Sequence, residues 1–252
     1  MAISLHELVN YTDTLLEKWQ FNDYCPNGLQ VEVSQRIAKI ISGVTASQAL
    51  IDVAIERKAD AILVHHGYFW KGEAAEITGI KAKRIASLIK NNISLIAYHL
   101  PLDAHPVYGN NAQLAKRLGL TISEGLDGGE RPIGLIGQLE KSQSLDSLAQ
   151  QIATSLQRTP LVIGRSDQII TRVAWCTGGA QSYMEKAIAK GVDCFITGEV
   201  SEQSYHLAQE SGVAFIAAGH HATERYGAQA LGEHLAQRFA ITVEFVDIDN
   251  PV

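Results

Sequence analysis

This chain of 252 residues has only three cysteines, an odd number, and they lie far apart in the sequence: Cys25, Cys176 and Cys194. That usage excludes a disulfide framework, and the lack of a C-x-x-C spacing excludes a cysteine-bound zinc module. Free thiols are typical of a reducing compartment, so we expect a cytoplasmic location. No apolar run approaches a bilayer span of about 20 residues, and the N-terminus lacks a secretory pattern. We therefore expect no membrane segment.

Positive charge is also in short supply, because 21 Lys and Arg residues face 27 Asp and Glu residues, a formal net charge of -6. A negative chain is not drawn to a phosphate backbone, so nucleic acid is an unlikely partner. The composition is 46% apolar and 19% charged, which suits a globular protein with a sizeable core. The length allows one large domain or two of ordinary size.

What the chain does contain is an internal repeat, which appears when the sequence is shifted by 133 positions. Residues 37–67 then lie over residues 170–200 without a gap, with Gln48 opposite Gln181 and Asp60 opposite Asp193. Such self-similarity indicates a duplicated supersecondary unit. We place the first repeat at residues 1–126 and the second at 127–252, with the boundary in the Gly- and Glu-rich stretch 124–132.

Both repeats predict the same order of elements. Apolar runs at 37–44 and 170–176 precede helical patterns, second runs follow at 61–64 and 194–196, and third runs follow at 94–98 and 214–218. Helices are predicted to begin after Ser4 and Ser144, and again around 110–118 and 222–238. Continuous apolar strands are typical of parallel sheets covered on both faces. The predicted fold class is therefore α/β, with mostly parallel, mixed sheets flanked by helices.

Side chains that bind metals follow these strands. Open α/β sheets bind their ligands beyond the carboxyl ends of the strands, so we expect these side chains to meet in a crevice there. Imidazole together with carboxylate suits Zn, Mn, Fe or Ni better than Mg or Ca. The inventory exceeds the needs of one ion, which favours two divalent ions. The residues are His65, His66, His99, Asp103, Glu199, His220, His221 and Glu224.

Each of these features has a simpler explanation when it is taken alone. A His-His pair at a strand end is often only a hydrogen-bonded surface feature, and His220 with Glu224 is also a helix-face pair. Asp103 alone is typical of a turn or a cap. Their joint placement at equivalent strand ends favours the metal interpretation.

Two nearby segments leave alternatives open. Tyr68, Phe69 and Trp70 follow the His pair and either stack on a planar ligand, cover the crevice or form a subunit contact. The turn Thr177-Gly178-Gly179 lies between a strand and a helix, and it is either an anion seat or, more often in such positions, a tight packing turn.

Several segments together resemble the NIF3-like family, whose members are also labelled GTP cyclohydrolase 1 type 2 homologs, and within it the bacterial YbgI branch. The resemblance covers essentially the whole chain and shows no departure at the metal positions. The segments that carry it are Pro26-Asn-Gly-Leu-Gln30, Gly43-Val-Thr-Ala-Ser47, Val64-His-His-Gly67, His99-Leu-Pro-Leu-Asp103, Gly109-Asn-Asn111, Ile196-Thr-Gly-Glu199 and Ala218-Gly-His-His-Ala-Thr-Glu224.

The resemblance implies a NIF3-like fold of two intertwined α/β repeats with a dinuclear metal centre. It also implies a ring-shaped homohexamer. The ligands it implies are His65, His66, Asp103, His220 and Glu224, with Glu224 as the bridge. His99, Glu199 and His221 are then left for orienting the ligands or for proton transfer, and His99 and Glu199 are the better general-base candidates.

The leading functional hypothesis is a metal-dependent hydrolase acting on a small molecule. The family label suggests ring opening of GTP, and phosphoester or amide hydrolysis needs the same parts. The alternative is a metal-binding scaffold or regulatory protein that works through partner contacts. A substrate-sized cleft beside the ligands would favour the hydrolase. A DNA-handling ring is disfavoured by the acidic composition.

Overall fold

The computed structural model describes residues 2–252 and divides them into two compact units. The first unit comprises residues up to Leu102 and Gly227–Asp249, and the second comprises Asp103–Tyr226 and Asn250–Val252. No helix among residues 2–252 combines the length and the apolar character needed to cross a bilayer.

In chain order the strands are β1 (Ile3–Ser4), β2 (Gly28–Val31), β3 (Arg36–Ile37), β4 (Lys39–Thr45), β5 (Ala61–His66), β6 (Ser94–Ala97), β7 (Leu120–Gly125), β8 (Leu135–Ser144), β9 (Leu161–Ile163), β10 (Ile169–Trp175), β11 (Cys194–Thr197), β12 (Ala214–Ala217) and β13 (Thr242–Phe245). The helices are α1 (Leu5–Leu15), α2 (Gln48–Glu56), α3 (Gly79–Lys90), α4 (Leu100–Ala104), α5 (Asn110–Leu118), α6 (Leu145–Leu156), α7 (Met184–Ala189), α8 (Glu202–Ser211) and α9 (His220–Phe239). Short 3-10 turns lie at Lys18–Gln20 and Gln181–Tyr183.

The first unit is built on a sheet with the strand order β13-β4-β5-β6-β2. All neighbours in this sheet are parallel except β2, which pairs antiparallel with β6 at the edge. Alternate side chains of the central strands enter different cores: Ile40 and Leu63 pack with α1 and the end of α9, while Ile41 and Ile62 pack with α2 and α3. Burial on both faces explains why these strands read as continuous apolar runs.

The second unit repeats this plan with more antiparallel strands. Its sheet has the order β7-β8-β10-β11-β12-β9, in which β10, β11 and β12 are parallel and the outer strands are antiparallel. Val173 and Ile196 face one core, and Ala174 and Phe195 face the other. The mixed α/β class is confirmed: parallel pairs form the centre of each sheet, and the edge strands are antiparallel except β13, which pairs in parallel with β4.

The 133-residue shift has a counterpart in the hydrogen bonds. Asp60 accepts from the amide of Lys39 at 2.9 Å and donates its own amide to the Lys39 carbonyl at 2.8 Å. Asp193 makes the same two bonds to Arg172 at 2.7 and 2.8 Å. Each aspartate therefore ties the loop before one strand to the start of its neighbour, which explains why aspartate recurs in register.

The two units do not divide the chain where the repeat boundary was predicted. Strand β13 pairs with β4, so a C-terminal segment completes the first sheet, while α5 and β7 from the first repeat belong to the second unit. Packing follows strand pairing rather than chain order. The boundary of the duplication near residue 126 stays a prediction about the sequence.

A serine residue stands directly before several of the helices. Ser144 caps α6 by accepting from the amide of Ser147 at 3.2 Å, as its position predicts. Ser4 occupies the equivalent position before α1 without a capping bond from its side chain. Ser47, which was not predicted as a cap, accepts from Leu50 at the start of α2. The predicted helix at 110–118 coincides with α5.

Candidate metal centre

Three histidines cluster at one edge of the first unit's sheet. His65 and His66 end β5, and His99 follows its parallel neighbour β6, so the carboxyl ends of both strands bring the rings together. The ring centroid of His65 lies 4.5 Å from that of His66 and 5.1 Å from that of His99. One ring nitrogen of each lies within 4.8 Å of the others. The side chains are therefore close enough to bind a common ion.

Backbone and hydroxyl partners orient the first two rings. The buried His65 ring places Nδ1 2.9 Å from the carbonyl oxygen of Tyr98. Because a carbonyl only accepts, Nδ1 carries the proton and Nε2 carries the lone pair. His66 Nδ1 lies 3.2 Å from the hydroxyl of Thr45. In this arrangement Nε2 is the ring nitrogen of His65 that could bind a metal.

A buried carboxylate fixes His99. Asp23 Oδ1 lies 2.7 Å from His99 Nδ1, and Oδ2 accepts from the Leu100 amide at 2.9 Å and from the Asn27 side chain at 2.7 Å. Burial raises the pKa of Asp23, but the hydrogen bond and the charge of His99, with the bond from Asn27, outweigh it and hold the pKa below its usual range. Asp23 is therefore an anion that directs the lone pair of His99 Nε2 away from itself.

Asp23→Asn is expected to destabilise the protein by about 1–3 kcal/mol at neutral pH, since an amide cannot accept all of these bonds. A lowered native pKa contributes stability that is present above the unfolded pKa of about 3.9 and is lost as the pH falls through the native pKa. The difference between variant and wild type should therefore shrink below about pH 4. Urea unfolding at several pH values measures it.

Asp52→Asn is the matched control for this series, because Asp52 is exposed and pairs with the Gln48 side chain on the same helix. Its free energy of unfolding should stay within about 0.5 kcal/mol of that of wild type at every pH. A constant difference between Asp23→Asn and wild type from pH 7 to pH 3 would contradict the assigned role.

The aromatic segment after the His pair separates into two roles. Tyr68 is buried and its hydroxyl donates to the Ala46 carbonyl at 2.7 Å, while Phe69 packs against the same core. Phe69 has a φ of 66°, a left-handed conformation that is unusual for a bulky residue. Of the three, Trp70 lies beside the histidines, with its ring centroid 5.0 Å from that of His99. Only Trp70 is therefore placed to touch a ligand at this cluster.

Carboxylates gather in the second unit. Asp103 is buried, and its Oδ1 accepts from the Asn110 side chain at 2.9 Å and from the Thr177 hydroxyl at 3.3 Å. A carboxylate oxygen of Glu224, which is also buried, lies within 4.8 Å of one from Asp103. Two buried carboxylates at this distance repel each other, and a nearby positive charge is needed to offset the repulsion.

His220 supplies such a charge in the metal-free protein. Its Nε2 lies 3.1 Å from Glu224 and its Nδ1 lies 2.7 Å from Glu199. Burial lowers the pKa of His220, but the hydrogen bonds and charges of Glu224 and Glu199 outweigh it and raise the pKa to about 9. A metal ion held at Nε2 would take the place of that proton, while Glu199 would keep the ring oriented through Nδ1.

Two of the three amides in the turn Thr177-Gly178-Gly179 after β10 are bonded within the protein, which favours a packing turn. The Thr177 amide donates to the Asn111 side chain, and the Gly178 amide donates to the Thr223 hydroxyl, both at 3.0 Å. Acceptors within the protein therefore already use these amides. A Cβ atom at Gly178 would lie 2.0 Å from a carboxylate oxygen of Glu224, so the turn also needs glycine to make room for that side chain.

Each unit thus brings together its own predicted ligands: His65 and His66 in the first, and Asp103, His220 and Glu224 in the second. His99 joins the first cluster and Glu199 contacts His220. His221 is buried, and its amide donates to the Val252 carbonyl at 3.0 Å.

The sequence argument missed the residues that hold the ligands in place. Asn27, Asn110 and Asn111 lie in segments that carry the family resemblance, and two adjacent asparagines at a helix start were available as a signal. The missed residues are Asp23, Asn27, Asn110, Asn111 and Thr177.

The chain matches the family model described as Duf34/NIF3 (NGG1p interacting factor 3) over residues 3–251. The chain belongs to the DUF34/NIF3 family. A DUF34/NIF3 relative from Pseudomonas aeruginosa, named GTP cyclohydrolase 1 type 2 homolog, is 54% identical over the full length of both chains. One from Vibrio cholerae with the same name is 51% identical over 99% of each chain.

Solved DUF34/NIF3 structures agree with the fold. The structure titled protein ybgI, unknown function, has a TM-score of 0.95 and 48% identity, covering 99% of this chain and 100% of that one. TTHA1606 from Thermus thermophilus has a TM-score of 0.89 and 33% identity, covering 99% of this chain and 100% of that one.

Proposed function

We propose that this protein is a metal-dependent hydrolase of a small molecule. The observation that carries the proposal is the pair of ligand clusters at the carboxyl ends of equivalent strands. Their donors are imidazole nitrogens and carboxylate oxygens, the set that suits first-row divalent ions. The proposed ligands are His65, His66, Asp103, His220 and Glu224, and the proposed cofactor is a pair of divalent ions. Ions bound there would act as Lewis acids and make water nucleophilic at neutral pH.

A cavity beside Asp103 favours an enzyme over a metal-binding scaffold. It encloses about 130 Å³ and lies entirely within the second unit. That volume is smaller than a typical site for a whole small molecule, so it admits one end of a substrate. Its wall includes His105, Pro106, Ile122, Arg131 and Pro132. A substrate site needs an apolar wall with a few polar groups beside the metal ligands. A purely structural metal site is closed and needs no such cavity.

The two general-base candidates differ in what surrounds them. Glu199 accepts from His220 Nδ1 and from the Gln181 side chain at 3.3 Å, so its oxygens are occupied in orienting a proposed ligand. His99 has its Nδ1 held by Asp23, which leaves Nε2 to exchange a proton, and its ring centroid lies 5.1 Å from that of His65. We assign proton transfer to His99 and the orientation of His220 to Glu199.

GTP is the first substrate to test, because the relatives carry the name of GTP cyclohydrolase 1 type 2 homologs. Elemental analysis of freshly purified protein identifies the metal, and anaerobically reloaded protein is then incubated with GTP. We expect formate and the ring-opened product. His99→Gln should lower turnover by about 10²–10⁴-fold while the proposed hydrolase centre keeps its metal, whereas Asp103→Ala should lose that metal.

His6→Gln is the control for this experiment, because His6 lies exposed on α1 and should not affect turnover. If wild type and Asp103→Ala are equally inactive on GTP, the cyclohydrolase version is wrong, and phosphoester and amide substrates follow. Inactivity on all three classes would favour the scaffold. The cytoplasmic location and the homohexameric ring stay predictions.

A further inference from the structure

One cysteine lies among metal-binding side chains outside the proposed ligand set. Cys25 occupies the loop between the Lys18–Gln20 turn and β2, and it is 9% exposed. The other two cysteines, Cys176 and Cys194, are buried in the second unit's core, as their apolar surroundings predict. Cys25 is therefore the one thiol of the three that is not part of these apolar clusters.

Cys25 forms a compact group with Asp23 and His99. The sulfur, one carboxylate oxygen and one ring nitrogen all lie within 4.8 Å of one another. Zinc bonds of about 2.0–2.3 Å in a tetrahedron separate two ligand atoms by roughly 3.3–3.8 Å. A small movement of the loop would therefore bring the sulfur and the nitrogen onto a common ion.

We propose that Cys25 and His99, with the Asp23 carboxylate, form a second type of metal position in the first unit, specific for thiophilic divalent cations such as Zn²⁺ or Cd²⁺. Thiolate ligands select soft ions, whereas the ligands proposed for the hydrolase centre include no sulfur. Binding breaks the S–H bond, the sulfur lone pair bonds to the cation, and the proton leaves to the buffer. No electron is transferred.

The surroundings suit a cation better than they suit a nucleophilic cysteine. A reactive thiol is partly exposed to its substrate, but Cys25 is buried. Asp23 is a buried anion whose side chain is only 3% exposed, and a cation beside it would balance its charge together with that of the thiolate. The His99 side chain is 15% exposed and has the exposed Tyr24 beside it, so an ion can reach the group from solvent.

The test is a titration of chelator-treated, phosphine-reduced full-length protein with Cd²⁺, followed by near-ultraviolet absorption. We expect a thiolate-to-metal charge-transfer band that saturates at one equivalent for this position. The band should disappear in Cys25→Ser and persist in Cys176→Ala and Cys194→Ala. It should also persist in His66→Ala, which removes a ligand of the proposed hydrolase centre.

Two results would overturn the proposal: Cd²⁺ binding by wild type without the band, or a band that survives in Cys25→Ser. Rapid, selective alkylation of Cys25 by iodoacetamide at neutral pH would do the same, since it would show a nucleophile. Cadmium NMR of the wild type reports sulfur ligation directly, so the result does not depend on the folding of a variant. Loss of hydrolase activity, or its absence, affects none of these outcomes.

Discussion

Glu224→Gln is expected to remove most of the stabilisation that metal gives to the protein. In wild type, metal at 1,000 times its dissociation constant should raise the free energy of unfolding by about 4 kcal/mol. Glutamine keeps the size of Glu224 but lacks the charge that binds a cation next to His220 and Asp103. If the affinity falls 100-fold, the same metal concentration stabilises the variant by only about 1.4 kcal/mol.

The chain offers a matched control for this substitution. Glu202 and His206 form the same i,i+4 pair on α8, with 2.9 Å between oxygen and nitrogen, but both are exposed. Glu202→Gln should therefore respond to metal as wild type does. Urea unfolding with and without the metal identified by elemental analysis measures all three proteins. Full stabilisation of Glu224→Gln, at an unchanged metal content, would show that Glu224 is not a ligand.

The central strands, and the positions of the candidate ligands at their ends, could be predicted because their signals are local. Continuous apolar runs mark strands buried on both faces, and the residues at their carboxyl ends follow in sequence without any knowledge of the loops. That was sufficient to predict β5 with His65 and His66 at its end, and β12 followed by His220. Repetition at a fixed shift added support that neither copy had alone.

The edge strands and the residues behind the ligands had no such signal. Strand β8, Leu135–Ser144, is largely exposed and polar in its second half, and it is a strand because β7 and β10 pair with it on both sides. Asp23 contacts His99 across 76 positions of sequence. Long-range pairs of this kind depend on the finished sheet, and no periodicity predicts them.

Gly178→Ala is expected to disrupt metal binding far more than it disrupts folding. Its φ of +69° is a left-handed conformation, which costs an alanine about 1 kcal/mol. The added Cβ would lie 2.0 Å from Glu224 Oε1 and 3.0 Å from His220 Nε2. The carboxylate is the end of a flexible side chain, so it can move aside at a modest further cost. In doing so it would leave the position proposed for binding a cation.

Gly191→Ala separates these two effects. Gly191 has nearly the same φ, +63°, and a Cβ there meets nothing within 4 Å, so that variant carries the backbone cost alone. Without added metal, Gly191→Ala should be destabilised by about 1 kcal/mol, and Gly178→Ala should be destabilised by that amount plus the modest cost of moving Glu224. With metal, Gly191→Ala should gain stability as wild type does and Gly178→Ala should gain little. If both variants bind metal equally well, a methyl group has been accommodated against Glu224, and the turn does not hold that carboxylate in a ligand position.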